Sequence, residues 1–148
     1  MTQPKKKESQ ARSVGHAMIG DTLGIPIIQC DLLGEIQNLH KEEAWLQGTG
    51  PSSTTLVKHS DLRIVLLAMK KEMRMHQHST AARISVQTLA GHIRLRLSDR
   101  TVELPAGQLV ALDRCVSHDV EAEEDSAFLL TLSWPSEEAG KCETDQHT

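Results

Sequence analysis

The chain has 148 residues, a formal net charge of -4, two tryptophans, one phenylalanine and no tyrosine. This length corresponds to one domain, large enough to bury a stable core without disulfide bonds. The acidic balance argues against a nucleic-acid-binding protein, which usually carries a basic face. The scarcity of aromatic rings leaves few platforms for stacking bases or sugars and predicts a mainly aliphatic core.

The cysteines and the apolar runs of the sequence indicate in which cellular compartment the protein lies. Cys30, Cys115 and Cys142 are odd in number and form no CxxC pair, so neither a zinc ribbon nor a thioredoxin-like site is indicated. No apolar stretch typical of a secretory signal follows the basic N-terminus. The longest strongly apolar run, Ile64 to Met69, is too short to cross a membrane. These features predict a cytoplasmic protein without a membrane partner.

The two ends and the first third of the chain are expected to lie outside the main domain. Residues 1–22 and the acidic residues 136–148 are predicted to be flexible tails. Residues 23–53 are predicted to form an N-terminal arm that contains a short edge strand near residues 23–28 and a helix. Asp31 is a good N-cap for this helix, which could extend to Gln47 before the Gly- and Pro-rich residues 48–51 end it.

From Thr54 onwards the hydrophobic period changes to two, and short apolar runs alternate with turn signals. The predicted strands are 54–58, 62–69, 75–79, 83–89, 92–97, 101–104, 109–112, 118–122 and 127–133. This spacing predicts an all-β domain over residues 54–135, either a sandwich or a barrel, of which the jelly roll is one solution.

Three histidines in these strands form a candidate metal site. His76 and His78 are two residues apart on one predicted strand, where a period of two places both on the same face. His118 begins a later strand that a barrel could bring beside them. Neutral imidazoles suit Zn, Cu, Fe and Ni. In a chain with eight histidines, such a pair can also arise by chance, so surface or core histidines are the alternative.

The segment from Met75 to His118 resembles the two-part signature of the cupin superfamily, a family of jelly-roll barrels. The first motif is G-x5-HxH-x3,4-E-x6-G, to which His76-Gln77-His78 and the closing Gly91 correspond. The second is G-x5-PxG-x2-H-x3-N, in which Gly107 and His118 have the family's spacing and Asp113-Arg114-Cys115 replace PxG. The resemblance covers roughly residues 56–135 and implies a double-stranded β-helix, the cupin jelly roll.

The resemblance also implies a divalent metal ion, Fe, Mn, Ni or Zn, held by His76, His78 and His118, and a homodimer. The family's glutamate is missing, because Ile84 or the residues just before it occupy its place. Gln87 has the opposite parity to Ile84 and should face away unless a bulge intervenes. Cys115 could be a soft additional ligand near the metal, or a small apolar filler.

Two functions are compatible with these features. The first is a metal-dependent enzyme, a dioxygenase or isomerase of a small molecule, whose open metal positions would polarise a carbonyl or activate water. The second is a non-catalytic cupin that binds or senses a small ligand without a metal. Neither a catalytic residue nor a substrate is assigned, because a fold alone does not determine function.

Overall fold

The computed structural model describes residues 24–135, so the tails predicted at residues 1–22 and 136–148 lie outside the described residues. Within this range the helices are α1 (Leu32–Leu39) and α2 (Glu43–Gln47). The strands are β1 (Ser52–Lys58), β2 (Leu62–Met69), β3 (Arg74–His78), β4 (Arg83–Ala90), β5 (His92–Leu97), β6 (Thr101–Pro105), β7 (Leu109–Leu112), β8 (His118–Ala122) and β9 (Ser126–Ser133).

The strands form two antiparallel sheets with the orders β1-β2-β9-β4-β7 and β3-β8-β5-β6. Side chains from both sheets meet in one core that includes Phe128, Ile93, Leu95 and Val86. Two such sheets packed around one core form the predicted all-β jelly roll. Within residues 24–135, no helix is long and apolar enough to span a membrane.

Strand β2 is buried on both faces at its C-terminal end. Leu67 and Met69 point into the core between the sheets, whereas Leu66 and Ala68 lie in a second cluster on the outer face, together with Ile36 and Trp45 of the helices. The helices therefore cover the outside of the five-stranded sheet. This double burial explains why β2 is a continuous apolar run instead of an alternating one.

The N-terminal arm differs in part from its prediction. Asp31 caps α1 as predicted, and its side chain accepts a hydrogen bond from the Gly34 N–H at 3.2 Å. A second helix, α2, follows after a break and ends at Gly48, which adopts a left-handed φ of 65°. The predicted edge strand is wrong over residues 24–28, which form no strand. Gly24 has a φ of 90° and Pro26 lacks an N–H donor, and both features oppose strand pairing.

Candidate metal centre and barrel mouth

One end of the barrel collects the predicted site residues, and we call this end the barrel mouth. In the five-stranded sheet, the starts of β2 and β4 pair with the end of β9, because Leu62 and Arg83 both lie opposite Ser133. In the other sheet, the start of β8 pairs with the end of β3. The Cys115 N–H donates to the Thr80 carbonyl at 2.8 Å, which ties the loops leading into β8 and β4 together.

His118 is a buried histidine at the barrel mouth. It is 5% exposed and lies on the same buried face of β8 as Val120 and Ala122. Its Nδ1 lies 3.0 Å from the Val116 carbonyl. Because a carbonyl can only accept, Nδ1 must carry the proton, and in the neutral ring Nε2 therefore carries the lone pair. Metal-binding histidines are commonly oriented by such a hydrogen bond from their other nitrogen.

The strand that carries His76 and His78 is irregular. Its register shifts between Met75 and His78, so that Met75 lies opposite Val120 but His78 lies opposite His118. The shift corresponds to a β-bulge, which interrupts the alternation on which the shared face of His76 and His78 was predicted. The side chain of His76 is exposed.

The three predicted ligands are therefore only partly brought together. The backbone register places His78 opposite His118, while His76 lies at the exposed side of the bulge. Among the side chains that the structure describes, which exclude that of His78, no group of three or more His, Cys, Asp or Glu residues could hold a metal ion. The three-histidine site stays a prediction.

Counted back from Gly91, the position of the missing glutamate is Ile84, and it is apolar. Ile84 is 5% exposed and lies opposite Leu112 on one side and Leu132 on the other, all three in the core between the sheets. Gln87 lies opposite Leu109 and Leu129, and no register shift separates it from Ile84. The opposite parity of Gln87 therefore places it on the outer face of the sheet, away from the barrel interior.

Cys115 is not a buried filler, because its side chain is exposed. Its role as an additional ligand stays a prediction. Its φ of 64° is left-handed, a conformation that costs about 1–2 kcal/mol for a residue with a Cβ. The position corresponds to the glycine of the family's PxG turn, so the backbone keeps the glycine conformation although the residue has changed.

The left-handed backbone at Cys115 predicts a difference in stability between two substitutions. We expect the Cys115→Gly variant to be more stable to urea than Cys115→Ala by about 1 kcal/mol, because glycine adopts the left-handed conformation without strain. Both variants lack the sulfur atom, so the difference between them reports the backbone alone. Equal unfolding midpoints would contradict the strain at this position.

The outer face of the four-stranded sheet carries a network of ion pairs. Arg94 contacts Glu103 at 2.8 Å and Glu123 at 3.0 Å, and Arg96 contacts Glu121 at 2.7 Å. A hydrogen bond from His92 lowers the pKa of Glu103, and one from Arg96 lowers the pKa of Glu121. The network forms a solvated face outside the barrel, as the alternation of β5 indicates.

A basic pocket at the barrel mouth is a feature that was not predicted from the sequence. It has a volume of about 260 Å³ and is lined by Lys58, His59, Ser60, Arg63 and Trp134. The first four residues belong to the β1–β2 hairpin, and Trp134 follows β9. The signal was present in β2, where Arg63 shares parity with Val65 and Leu67 and so occupies the barrel-facing side of the strand.

Comparisons with known proteins connect this geometry to one fold. No family model and no curated protein matches the chain, but many solved structures are similar to its fold. A conserved protein of unknown function from Streptococcus pyogenes is 26% identical with a TM-score of 0.56, over 58% of this chain and 75% of its own.

Two further structures have lower sequence identity. A cupin-2 domain-containing protein from Shewanella frigidimarina is 13% identical with a TM-score of 0.56, over 70% of this chain and 92% of its own. The salicylate 1,2-dioxygenase of Pseudoaminobacter salicylatoxidans is 13% identical with a TM-score of 0.53, over 57% of this chain and 25% of its own. The present chain therefore has the jelly-roll barrel fold of small cupin-domain proteins, and the fold predicted from the sequence is confirmed.

Proposed function

We propose that this protein binds a small molecule at the barrel mouth and holds a divalent metal ion there through His76, His78 and His118. The observation that carries the proposal is His118, a buried imidazole whose Nδ1 donates to the Val116 carbonyl. The register of His78 opposite His118 supports a second ligand at the same place. His76 would join them by a change at the bulged segment of β3.

The residues fit a divalent ion of the transition series. Three neutral imidazoles leave the full charge of the ion uncompensated and leave positions open for water or a ligand. Fe, Mn, Ni or Zn held in this way would act as a Lewis acid or activate a bound water. The aliphatic residues around Ile84 would exclude water from the interior, and the Val116 carbonyl would hold the His118 ring in one tautomer.

Within this proposal the reaction is that of a dioxygenase or an isomerase acting on a small molecule. Its support is the fold shared with a salicylate 1,2-dioxygenase. The second candidate function is a non-catalytic cupin that binds or senses a small ligand without a metal. The apolar Ile84 in the position of the family's glutamate favours this alternative, because it removes the acidic ligand.

Metal analysis of untagged protein tests the proposal. After incubation with Fe(II), Mn(II), Ni(II) or Zn(II) and desalting, we expect near-stoichiometric metal in the wild type. We expect at least a tenfold loss in His118→Ala and in His78→Ala, because each variant removes a direct ligand. The matched control is His92→Ala, since His92 binds Glu103 on the outer face and should leave the metal content unchanged.

Two results would contradict the metal site. Wild-type protein that stays free of metal after every incubation would favour the non-catalytic alternative. Equal metal content in His118→Ala and the wild type would place any bound ion elsewhere. Circular dichroism of each variant shows whether the barrel has remained folded, so a loss of metal can be separated from a loss of structure.

We also propose that the protein is a cytoplasmic homodimer without nucleic-acid or membrane partners. Large apolar side chains on the N-terminal arm support a partner subunit, because Ile27 is 74% and Leu33 is 72% exposed. Apolar surface of this kind is commonly covered in oligomers. Sedimentation equilibrium measures the oligomeric state directly.

A further inference from the structure

The basic pocket at the barrel mouth belongs to the inner surface of the barrel. A row of paired residues crosses the five-stranded sheet from Lys58 to Arg63, Leu132, Ile84 and Leu112. Residues paired in this way share one face of the sheet. Leu132, Ile84 and Leu112 face the core, so Arg63 faces the barrel as well. Two strand spacings, roughly 10 Å, separate Arg63 from Ile84.

Arg63 differs from most other arginines of the barrel in having no acidic partner. Arg83, Arg94 and Arg96 each contact a carboxylate, whereas no carboxylate within residues 24–135 pairs with Arg63. Its Nε is buried and lacks a hydrogen-bond partner among these residues. Its guanidinium lies over the ring of Trp134, 5.2 Å from the centroid. A buried donor without a partner is unfavourable, and a ligand that accepts from it would recover that free energy.

The other groups of the pocket match the chemistry of Arg63. Lys58 contributes an ammonium, His59 an imidazole and Ser60 a hydroxyl, and none of the lining residues within 24–135 is an aspartate or glutamate. Asp61 lies in the same turn and is not among the lining residues. Its backbone carbonyl accepts from the Trp134 N–H at 3.0 Å, which holds Trp134 beside the turn. The pocket therefore presents hydrogen-bond donors and positive charge beside an aromatic ring and the aliphatic barrel wall.

We propose that this pocket binds the oxyanion head of a small organic ligand, a carboxylate or a phosphate monoester. Arg63 donates to the oxygens, Lys58 adds positive charge, and the apolar body of the ligand extends towards Leu132 and Ile84. Charge-assisted bonds from an arginine fork to an oxyanion are the strongest hydrogen bonds available here. The volume of about 260 Å³ suits a ligand with about the size of one aromatic ring.

This inference rests on the proposed function in one respect, because it names the class of small molecule that enters the barrel mouth. It does not depend on the metal. The experiment therefore uses the full-length protein after treatment with EDTA, so that absence of metal binding and absence of anion binding are separate results.

Isothermal titration with benzoate, phenyl phosphate and benzamide tests the proposal. We expect benzoate or phenyl phosphate to bind at least tenfold more tightly than benzamide, which has the same ring without the charge. Which of the two anions binds more tightly distinguishes a carboxylate from a phosphate ligand. In a Trp45→Phe background, the fluorescence of Trp134 should change on binding, which locates the ligand at this pocket.

Substitution of Arg63 completes the test. Arg63→Gln should weaken the binding of the preferred anion by at least tenfold, and Arg63→Lys by less, because it keeps the charge but loses the fork. Arg100→Gln, a change in the exposed β5–β6 turn, is the matched control and should have no effect. The proposal would be overturned if neither anion binds or if benzamide binds as tightly as the anions. It would also be overturned if Arg63→Gln binds the preferred anion as tightly as the wild type does.

Discussion

Replacing Gly91 by alanine should destabilise the barrel by about 3 kcal/mol, the largest effect we expect from a single added methyl group. Gly91 joins β4 to β5 with a left-handed φ of 82°. A Cβ at this position would lie 2.8 Å from the Ser126 Cα and still closer to the Asp125 carbonyl oxygen and the Ser126 hydroxyl. The backbone of β9 would have to move to admit it.

Ser126, which lies against Gly91, also makes hydrogen bonds to two neighbouring backbone groups. The Ser126 hydroxyl accepts from the His92 N–H at 2.9 Å and donates to the Glu124 carbonyl at 2.7 Å. Because Ser126 is buried, a displacement would leave these polar groups without partners and without water.

Urea unfolding of Gly91→Ala beside Gly107→Ala measures the effect. Gly107 also has a left-handed φ of 90°, but no atom lies within 4 Å of the position of its Cβ. The free energy of unfolding of the Gly107→Ala control should therefore fall by only about 1 kcal/mol, the cost of placing alanine in the left-handed conformation. Equal losses in the two variants would show that the close approach at Gly91 contributes nothing.

The second large effect concerns the position of the missing glutamate. We expect Ile84→Glu to lower the free energy of unfolding of the metal-free protein by about 3 kcal/mol at pH 8, because it places a carboxylate among Leu112 and Leu132. Burial raises the pKa of the introduced carboxyl in the folded state above its unfolded value. The part of the destabilisation that comes from ionisation is therefore absent below a pH of about 4.3, and it grows as the pH rises towards the folded pKa.

The isosteric control is Ile84→Gln, which is polar but does not ionise. We expect the difference in unfolding free energy between the two variants to be larger at pH 8 than at pH 5, as urea titrations at both values will show. A difference that does not change with pH would mean that the carboxylate reaches water.

The same pair of variants also reports on the metal. If the histidines at the barrel mouth hold a divalent ion, a carboxylate at residue 84 completes the family's ligand set. Zn(II) should then raise the unfolding midpoint of Ile84→Glu more than that of Ile84→Gln, since binding to the folded state stabilises it. If Zn(II) shifts the unfolding midpoints of both variants equally, residue 84 does not contact a bound metal ion.

Most of the barrel is predictable from the sequence because its strands are short and half-buried. In β5, Ile93 and Leu95 alternate with Arg94 and Arg96, and this local pattern alone predicts which side chains reach the core. The match of the Gly107-to-His118 spacing to the family's second motif likewise implies where a barrel-facing histidine lies, because no insertion interrupts β7 or the start of β8.

The features of the barrel mouth depend on pairing between distant strands. The bulge in β3 arises from the register against β8, and a one-residue shift changes which face a histidine occupies. The environment of Arg63 depends on its pairing with Leu132 and on Trp134, which lie about half the chain away. Neither relationship has a signature within a short window of residues.

The sequence by itself determined where the strands and the closing turn at Gly91 lie along the chain, because local periodicity and glycine conformation specify them. Only the tertiary structure decided that the helices cover the outer face of β2, that the alternation of His76 and His78 is interrupted, and that Arg63 faces the barrel. These features follow from contacts between segments distant along the chain, and the hydrophobic periodicity of either segment alone does not indicate such contacts.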